Sequence, residues 1–330
     1  MLSLRAAASR ILPRVRAASS SADRFVRIVE VGPRDGLQNE KAMVSTDVKV
    51  ELINRLQAAG LKTVEAGSFV SPKWVPQMAG TDDVLRRIAH DAATKFPVLV
   101  PNSKGLSTLL ELLNASPGVT DEIAVFTAPS ESFSKANTNC SVAESLERLS
   151  QVVQAALDHG LRVRGYVSTV ITCPYEGRIE PRAVRDVAKA LADMGCYEVS
   201  LGDTTGAGTP ETVLAVLNAV QQVVTASKLA AHWHDTCGTA IANVLAALSA
   251  DIRVVDSSVA GLGGCPYSPG ATGNVATEDV VHVLHGDGWE TGVDMDRLAE
   301  TGAWISRELN RPNESRAGRA WLAKKSRARL

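Results

Sequence analysis

From Phe25 to Leu284, short apolar, β-branched runs alternate with helix-length runs eight times in succession. The strand-like runs are Phe25–Val31, Thr63–Ala66, Phe96–Val100, Glu122–Thr127, Arg162–Val170, Tyr197–Leu201, Leu229–Trp233 and Val254–Val259. Helix signals lie between them. Ser45 or Thr46 caps a helix that Gly60 stops, and Thr81 is expected to cap Asp82–His90. A further helix spans Lys104–Asn114, and Ser141 with Glu144 forms a capping box for a long helix ending at Gly160. Pro181 opens a helix to Met194, and Thr209 followed by Pro210 opens another to about Val224. Ala240–Ser249 and Thr277–Leu284 complete the series, and Asp294–Leu309 adds an outer helix. Eight βα units whose strands are apolar on both faces predict an α/β protein, a parallel TIM (β/α)8 barrel with an additional C-terminal helical segment. An open doubly wound sheet would favour GxGxxG after the first strand, where this chain has GPRDGLQ.

The rest of the chain narrows the function classes. The 35 basic and 36 acidic residues nearly cancel, so no global field argues for a nucleic-acid partner. No segment offers the roughly 18 uninterrupted apolar residues of a membrane span, so no membrane partner is expected. The five cysteines, Cys140, Cys173, Cys196, Cys237 and Cys265, are odd in number, widely spaced and free of CxxC, which argues against a disulfide framework or zinc cluster. The barrel is expected over residues 23–310. Residues 1–22 carry Arg5, Arg10, Arg14 and Arg16, many Ala and Ser, and no acid, the composition of an organellar transit peptide. Residues 311–330 form a basic tail closing on Ala328-Arg329-Leu330, a variant of the peroxisomal Ser-Lys-Leu address.

In a barrel, catalytic side chains come from the C-terminal ends of the strands and the loops that follow. Those ends carry Arg34 and Asp35, Glu65, Asp203 and Thr204, the string His232-Trp233-His234-Asp235, and Cys265 and Asn274. His232 and His234 are two apart on a strand, so both imidazoles face one side and Trp233 the other. Two imidazoles, the carboxylate of Asp35 and the amide oxygen of Asn274 suit one Mg2+ or Mn2+ ion, with zinc also compatible with imidazole. Cys265 sits in GLGGCPYSPGATGN, whose glycines suit a loop able to close over a site with a proton donor.

Five strings, VGPRDGLQNEK, VEAGSFVSPKWVPQM, SLGDTTGAGTP, HWHDTCGTAIANV and GLGGCPYSPGATGNVATEDVV, closely resemble the 3-hydroxy-3-methylglutaryl-CoA lyase family over about Phe25–Leu309. The resemblance implies a pyruvate carboxyltransferase-like catalytic barrel using Mg2+ or Mn2+. Its reaction is cleavage of 3-hydroxy-3-methylglutaryl-CoA to acetyl-CoA and acetoacetate, a step of leucine degradation and ketone-body formation. It implies the metal ligands Asp35, His232, His234 and Asn274, and the catalytic positions Arg34, Asp35, Glu65, Asp203, His232 and Cys265. Glu65 and Asp203 are read as orienting Arg34 and the histidines. Arg34, Lys41 and Ser68 fall at substrate-binding positions. A homodimer in the mitochondrial matrix is expected, with a peroxisomal pool through the terminal tripeptide. Two rivals stand beside this reading. A Claisen-type synthase of the same barrel superfamily shares the Arg-acid pair and HxH but differs in the loop bearing Cys265. A non-catalytic acyl-CoA-binding barrel predicts a broken residue set, whereas each matched position here holds a competent side chain.

Overall fold

The computed structural model describes residues 24–264 and 273–328. Residues 1–23 (which include the expected transit peptide), Cys265, Arg329 and Leu330 therefore lie outside the described residues. Strand β1 is Arg27–Glu30, followed by β2 (Thr63–Val64), β3 (Gly67–Ser68), β4 (Val98–Leu99), β5 (Glu122–Thr127) and β6 (Arg162–Val167). After a small hairpin, β7 (Thr172–Cys173) with β8 (Gly177–Arg178), come β9 (Glu198–Asp203), β10 (Leu229–Trp233) and β11 (Val254–Ser257). All strands outside the hairpin run parallel, in the order β2-β1-β11-β10-β9-β6-β5-β4-β3. The two ends of that order belong to one stretch of chain. Thr63 and Val64 pair with Val29 and Glu30 on one side, while Gly67 and Ser68 pair with Val98 and Leu99 on the other. Backbone bonds from Glu65 N to Glu30 O (2.9 Å) and Ala66 N to Pro97 O (2.9 Å) join the two halves. The sheet thus closes into the eight-staved barrel.

The strand period sorts the side chains. Leu229, Ala231 and Trp233 of β10 join the large cluster between sheet and helices. Val29, Val31, Ala230 and Val254 form a separate strand-only cluster, as do Leu99, Ala124 and Tyr166. These two groups fill the barrel interior, and the polar residues of the same parity line it with them.

The outer helices are α1 (Thr46–Ala58), α2 (Thr81–Arg87), α3 (Ser103–Ala115), α4 (Glu131–Thr138), α5 (Val142–Asp158), α6 (Pro181–Asp193), α7 (Pro210–Val220), α8 (Ala240–Ser249), α9 (Thr277–Gly286), α10 (Met295–Glu308) and α11 (Arg316–Arg327). Ser45 caps α1, and Gly60 leaves it at φ +96°, where a Cβ would stand 2.2 Å from Gly292 O. The capping box of Ser141 and Glu144 is formed. Thr81 is not a cap: Gly80 holds that position. The Thr81 hydroxyl is instead drawn to the strand end, bonding Met78 O (2.9 Å) and receiving Ser68 N (3.1 Å). The basic tail is also more ordered than a solvated charge run implies. Ser315 caps α11, Asp279 accepts from Ser315 Oγ (2.6 Å) and Ala317 N (2.7 Å), and Trp321 Nε1 donates to Asp296 (2.7 Å).

Candidate metal centre and active site

After β1 the chain makes a wide turn in which Val31 O receives the N–H groups of Arg34 (3.2 Å), Asp35 (2.8 Å) and Gly36 (3.1 Å). The last of these is an i to i+5 bond, the signature of a π-helical turn, a distortion common at functional sites. It places Arg34 and Asp35 side by side at the C-terminal end of the barrel. Asp35 Oδ1 accepts from Arg34 Nη1 (2.7 Å) and Gln38 Nε2 (2.7 Å), and Oδ2 accepts from Asn274 Nδ2 (2.7 Å). Burial pushes the Asp35 carboxyl up, but Arg34, His232 and His234 outweigh it and hold the pKa at about 2.

His232 and His234 reach the same spot from β10 and its continuation, with their Nε2 atoms 3.4 Å apart. His232 Nε2 lies 4.0 Å from Asp35 Oδ2. The other ring nitrogen of His232 bonds Asp256 Oδ2 at 3.2 Å. A carboxylate can only accept, so Nδ1 carries a proton and Nε2 is the nitrogen turned to the site. The pKa of His234 is lowered to about 4 by burial and by neighbouring His232, against the opposing pull of Asp35. Asn274 is brought in by an antiparallel bridge to His234, closed by Asp235 N to Gly273 O (2.7 Å).

Asp35, His232 and His234 each offer a ligand atom within 4.8 Å of the others, the one such group among the described residues. Two imidazole nitrogens turned to one spot and a carboxylate of low pKa are the donor types of a divalent-cation site. The surrounding charge agrees. The connected network holds the guanidiniums of Arg27, Arg34 and Arg164 against the carboxylates of Asp35, Glu65, Glu198 and Asp256, leaving one formal negative charge in excess. The residues present therefore fit a bound cation.

Arg34 bridges two carboxylates, Nη1 to Asp35 and Nη2 to Glu65 Oε2 at 3.0 Å. Burial works against its charge, and Glu65 and Asp35 more than restore it, so its pKa is pushed up. Glu65 also accepts from Tyr166 OH (2.9 Å). Asp203, at the end of β9, is spent on its own loop, accepting Gly208 N (2.7 Å) and Thr205 Oγ1 (3.3 Å). Burial, partly offset by those bonds, raises its pKa. Ser68 is buried and ties the end of β3, donating to Leu99 O (3.2 Å) and accepting Val70 N (3.1 Å). Lys41 is exposed on the loop between β1 and α1. Cys265 belongs to the segment outside the described residues, directly after Gly264.

Three interior residues escaped the sequence reading: Asp256, Arg164 and Tyr166. Each is polar, nine-tenths or more buried, and sits among apolar neighbours on a strand. The available signal was a charge at interior parity, as in Val163-Arg164-Gly165 and Val255-Asp256-Ser257.

The fold and this site together define a (β/α)8 barrel with a carboxylate–diimidazole group, of the kind that could hold a cation, at the C-terminal mouth. A family model described as HMGL-like matches residues 25–305. A hydroxymethylglutaryl-CoA lyase from Pseudomonas mevalonii is 51% identical over 302 residues, covering 92% of this chain and 98% of that protein. A mitochondrial hydroxymethylglutaryl-CoA lyase from Arabidopsis thaliana is 54% identical over 299 residues, 91% of this chain but 63% of its own length. A cytoplasmic 3-hydroxy-3-methylglutaryl-CoA lyase from Rattus norvegicus is 51% identical over 90% of this chain and 84% of its own. Among solved structures, hydroxymethylglutaryl-CoA lyase from Pseudomonas aeruginosa superposes with a TM-score of 0.88 at 52% identity, covering 91% and 98% of the two chains. An HMG-CoA lyase from Acinetobacter baumannii, solved with coenzyme A and 3-methylmalate, gives 0.85 at 33% identity, covering 92% and 97%. The chain belongs to the HMGL-like family and, within it, groups with the hydroxymethylglutaryl-CoA lyases.

Proposed function

We propose that this chain is a metal-dependent carbon–carbon lyase that cleaves 3-hydroxy-3-methylglutaryl-CoA to acetyl-CoA and acetoacetate. The observation that carries the reading is the convergence of Asp35, His232 and His234 beside an Arg34 fixed between two carboxylates, at the mouth of a barrel of this family. Asp35, His232, His234 and Asn274 would hold Mg2+ or Mn2+, which when bound supplies Lewis-acid polarisation of the substrate oxygens.

The remaining work falls to side chains. The C3 hydroxyl loses its proton to Asp35, whose carboxylate keeps a second oxygen when one holds the cation, or to His232 where its Nε2 is not taken by the cation. The electron pair of the O–H bond becomes the new C3 carbonyl as the C2–C3 bond breaks, releasing acetoacetate. The electrons of that bond move into the thioester as an enolate, whose oxygen is stabilised by the fixed cation of Arg34. Cys265 delivers a proton to C2 from the loop after β11, giving acetyl-CoA. Glu65 aims Arg34, and Asp203 holds the loop after β9. Lys41 offers an exposed cation suited to the coenzyme phosphates, and Ser68 shapes the wall at the end of β3. The active form is a homodimer, located in the mitochondrial matrix with a peroxisomal fraction.

Incubation of the pure protein with 3-hydroxy-3-methylglutaryl-CoA and Mg2+ or Mn2+ should give acetyl-CoA and acetoacetate in equal amounts, and a chelator should abolish both. No cleavage with either metal, together with condensation of acetyl-CoA onto a 2-oxo acid, would replace this reading with the synthase one.

A further inference from the structure

We infer that Arg164 is a positioning residue that sets both halves of the site at once, the imidazole of His232 through Asp256 and the guanidinium of Arg34 through Tyr166 and Glu65. Arg164 comes from the middle of β6 and is 1% exposed, deep inside the barrel. An arginine buried there must have its donors satisfied. Nη2 donates to Asp256 Oδ1 (2.7 Å), and Nη1 to Asp256 Oδ2 (3.0 Å) and Tyr166 OH (2.7 Å). Nε donates to Glu198 Oε1 (2.7 Å). The forked pairing with Asp256 fixes the plane of that carboxylate, which Ser200 Oγ also holds at 2.7 Å. Asp256 in turn fixes the proton of His232 on Nδ1.

The second arm starts from the same Nη1. Because Tyr166 OH accepts from Arg164, its own hydrogen points to Glu65 Oε2, which then receives Arg34 Nη2. The guanidiniums of Arg164 and Arg34 also lie over the Tyr166 ring, at 4.9 and 5.5 Å from its centre. Replacing a planar fork by a point charge would keep the charge and lose one arm or the other, since a single ammonium cannot pair two carboxylates and a phenol in these directions.

The inference rests on the metal-site reading, and its test separates the arms by a measurement independent of turnover. Mn2+ affinity is titrated by electron paramagnetic resonance on wild type, Arg164→Lys, Asp256→Asn and Tyr166→Phe, each confirmed folded by circular dichroism. Asp256→Asn should weaken Mn2+ binding about 10- to 100-fold, the range for a lost outer partner of a ligating histidine. Tyr166→Phe should leave Mn2+ affinity within about twofold and lower kcat more than it raises KM. Arg164→Lys should show both defects. An Arg164→Lys protein with wild-type Mn2+ affinity, or with wild-type kcat, would overturn the dual role. If Arg164→Lys does not fold, Tyr166→Phe that loses Mn2+ as strongly as Asp256→Asn would overturn it instead, because the arms would not be separable. Failure of the functional reading looks different: wild type would bind Mn2+ without cleaving the C2–C3 bond of 3-hydroxy-3-methylglutaryl-CoA.

Discussion

His234 is buried and presents one of two facing imidazole nitrogens. His234→Ala should therefore weaken Mn2+ binding by an order of magnitude or more, since losing a ligand costs at least what losing its outer partner does. Unchanged affinity in a direct titration would make the HxH pair structural. Arg34 spans Asp35 and Glu65 with separate nitrogens, a geometry lysine lacks. Arg34→Lys should bind metal but fail to restore turnover, and near-wild-type kcat would mean charge alone suffices. Cys265→Ala should lose about a hundredfold in activity, the scale of a positioned proton donor, with Mn2+ affinity near normal. Wild-type rates in that variant would remove the thiol from the reaction. Residues at strand ends were legible because they stand in polar strings that break the apolar pattern. Asp256, Arg164 and Tyr166 were not, because a single polar letter inside a strand does not reveal which distant side chain it meets.

Elements followed the local pattern where it was strong. β10 and α8 match the expected Leu229–Trp233 and Ala240–Ser249, and the capping box at Ser141 opens α5. Misses came where tertiary contacts decide. Thr81 serves the end of β3, and α11 is tied down by Asp279, which accepts from its Ser315 cap and Ala317 N, and by Trp321, which reaches Asp296 across to α10. α4 and the β7–β8 hairpin lie in stretches read only as connections. At the junction of α9, α10 and α11, Glu278 is fully buried and accepts Ala260 N at 2.9 Å. A Cβ at Gly302 would stand 2.1 Å from its Oε1, so Gly302→Ala should destabilise by about 1–3 kcal/mol, read from the urea midpoint. Burial raises Glu278 from 4.5 to about 8, and Glu30 from 4.5 to about 7, each partly offset by hydrogen bonds. A carboxyl raised in the fold binds its proton more tightly there than in the unfolded chain. Its contribution is complete below about pH 4.5 and is lost as pH rises through 7 to 8. Tm should fall between about pH 4.5 and 8 and level off above it, and Glu278→Gln should flatten that fall. An unchanged slope would place the pH dependence elsewhere.

At the scale of the whole molecule, the described residues contain no helix long and apolar enough to cross a membrane. Of the 35 basic residues, four arginines lie in the leader, leaving 31 against 36 acids in the remaining chain. The four arginines of residues 1–22 stand on a segment with no acid to offset them, which is the physical basis for expecting mitochondrial targeting. Relatives named as mitochondrial and as cytoplasmic forms both exist, so membership of the family does not fix the address. The opposite end carries the tripeptide Ala328-Arg329-Leu330 directly after α11, and Ala328 is exposed. Receptor-read addresses need a free terminus, so localisation should be followed on the untagged chain with an antibody. The leader emerges first during synthesis and should dominate, leaving the full chain mostly mitochondrial. Deleting residues 1–22 should move it to peroxisomes and cytosol, and further removal of the last three residues should leave it in the cytosol alone. A leaderless chain that still enters mitochondria would show that the first 22 residues carry no address.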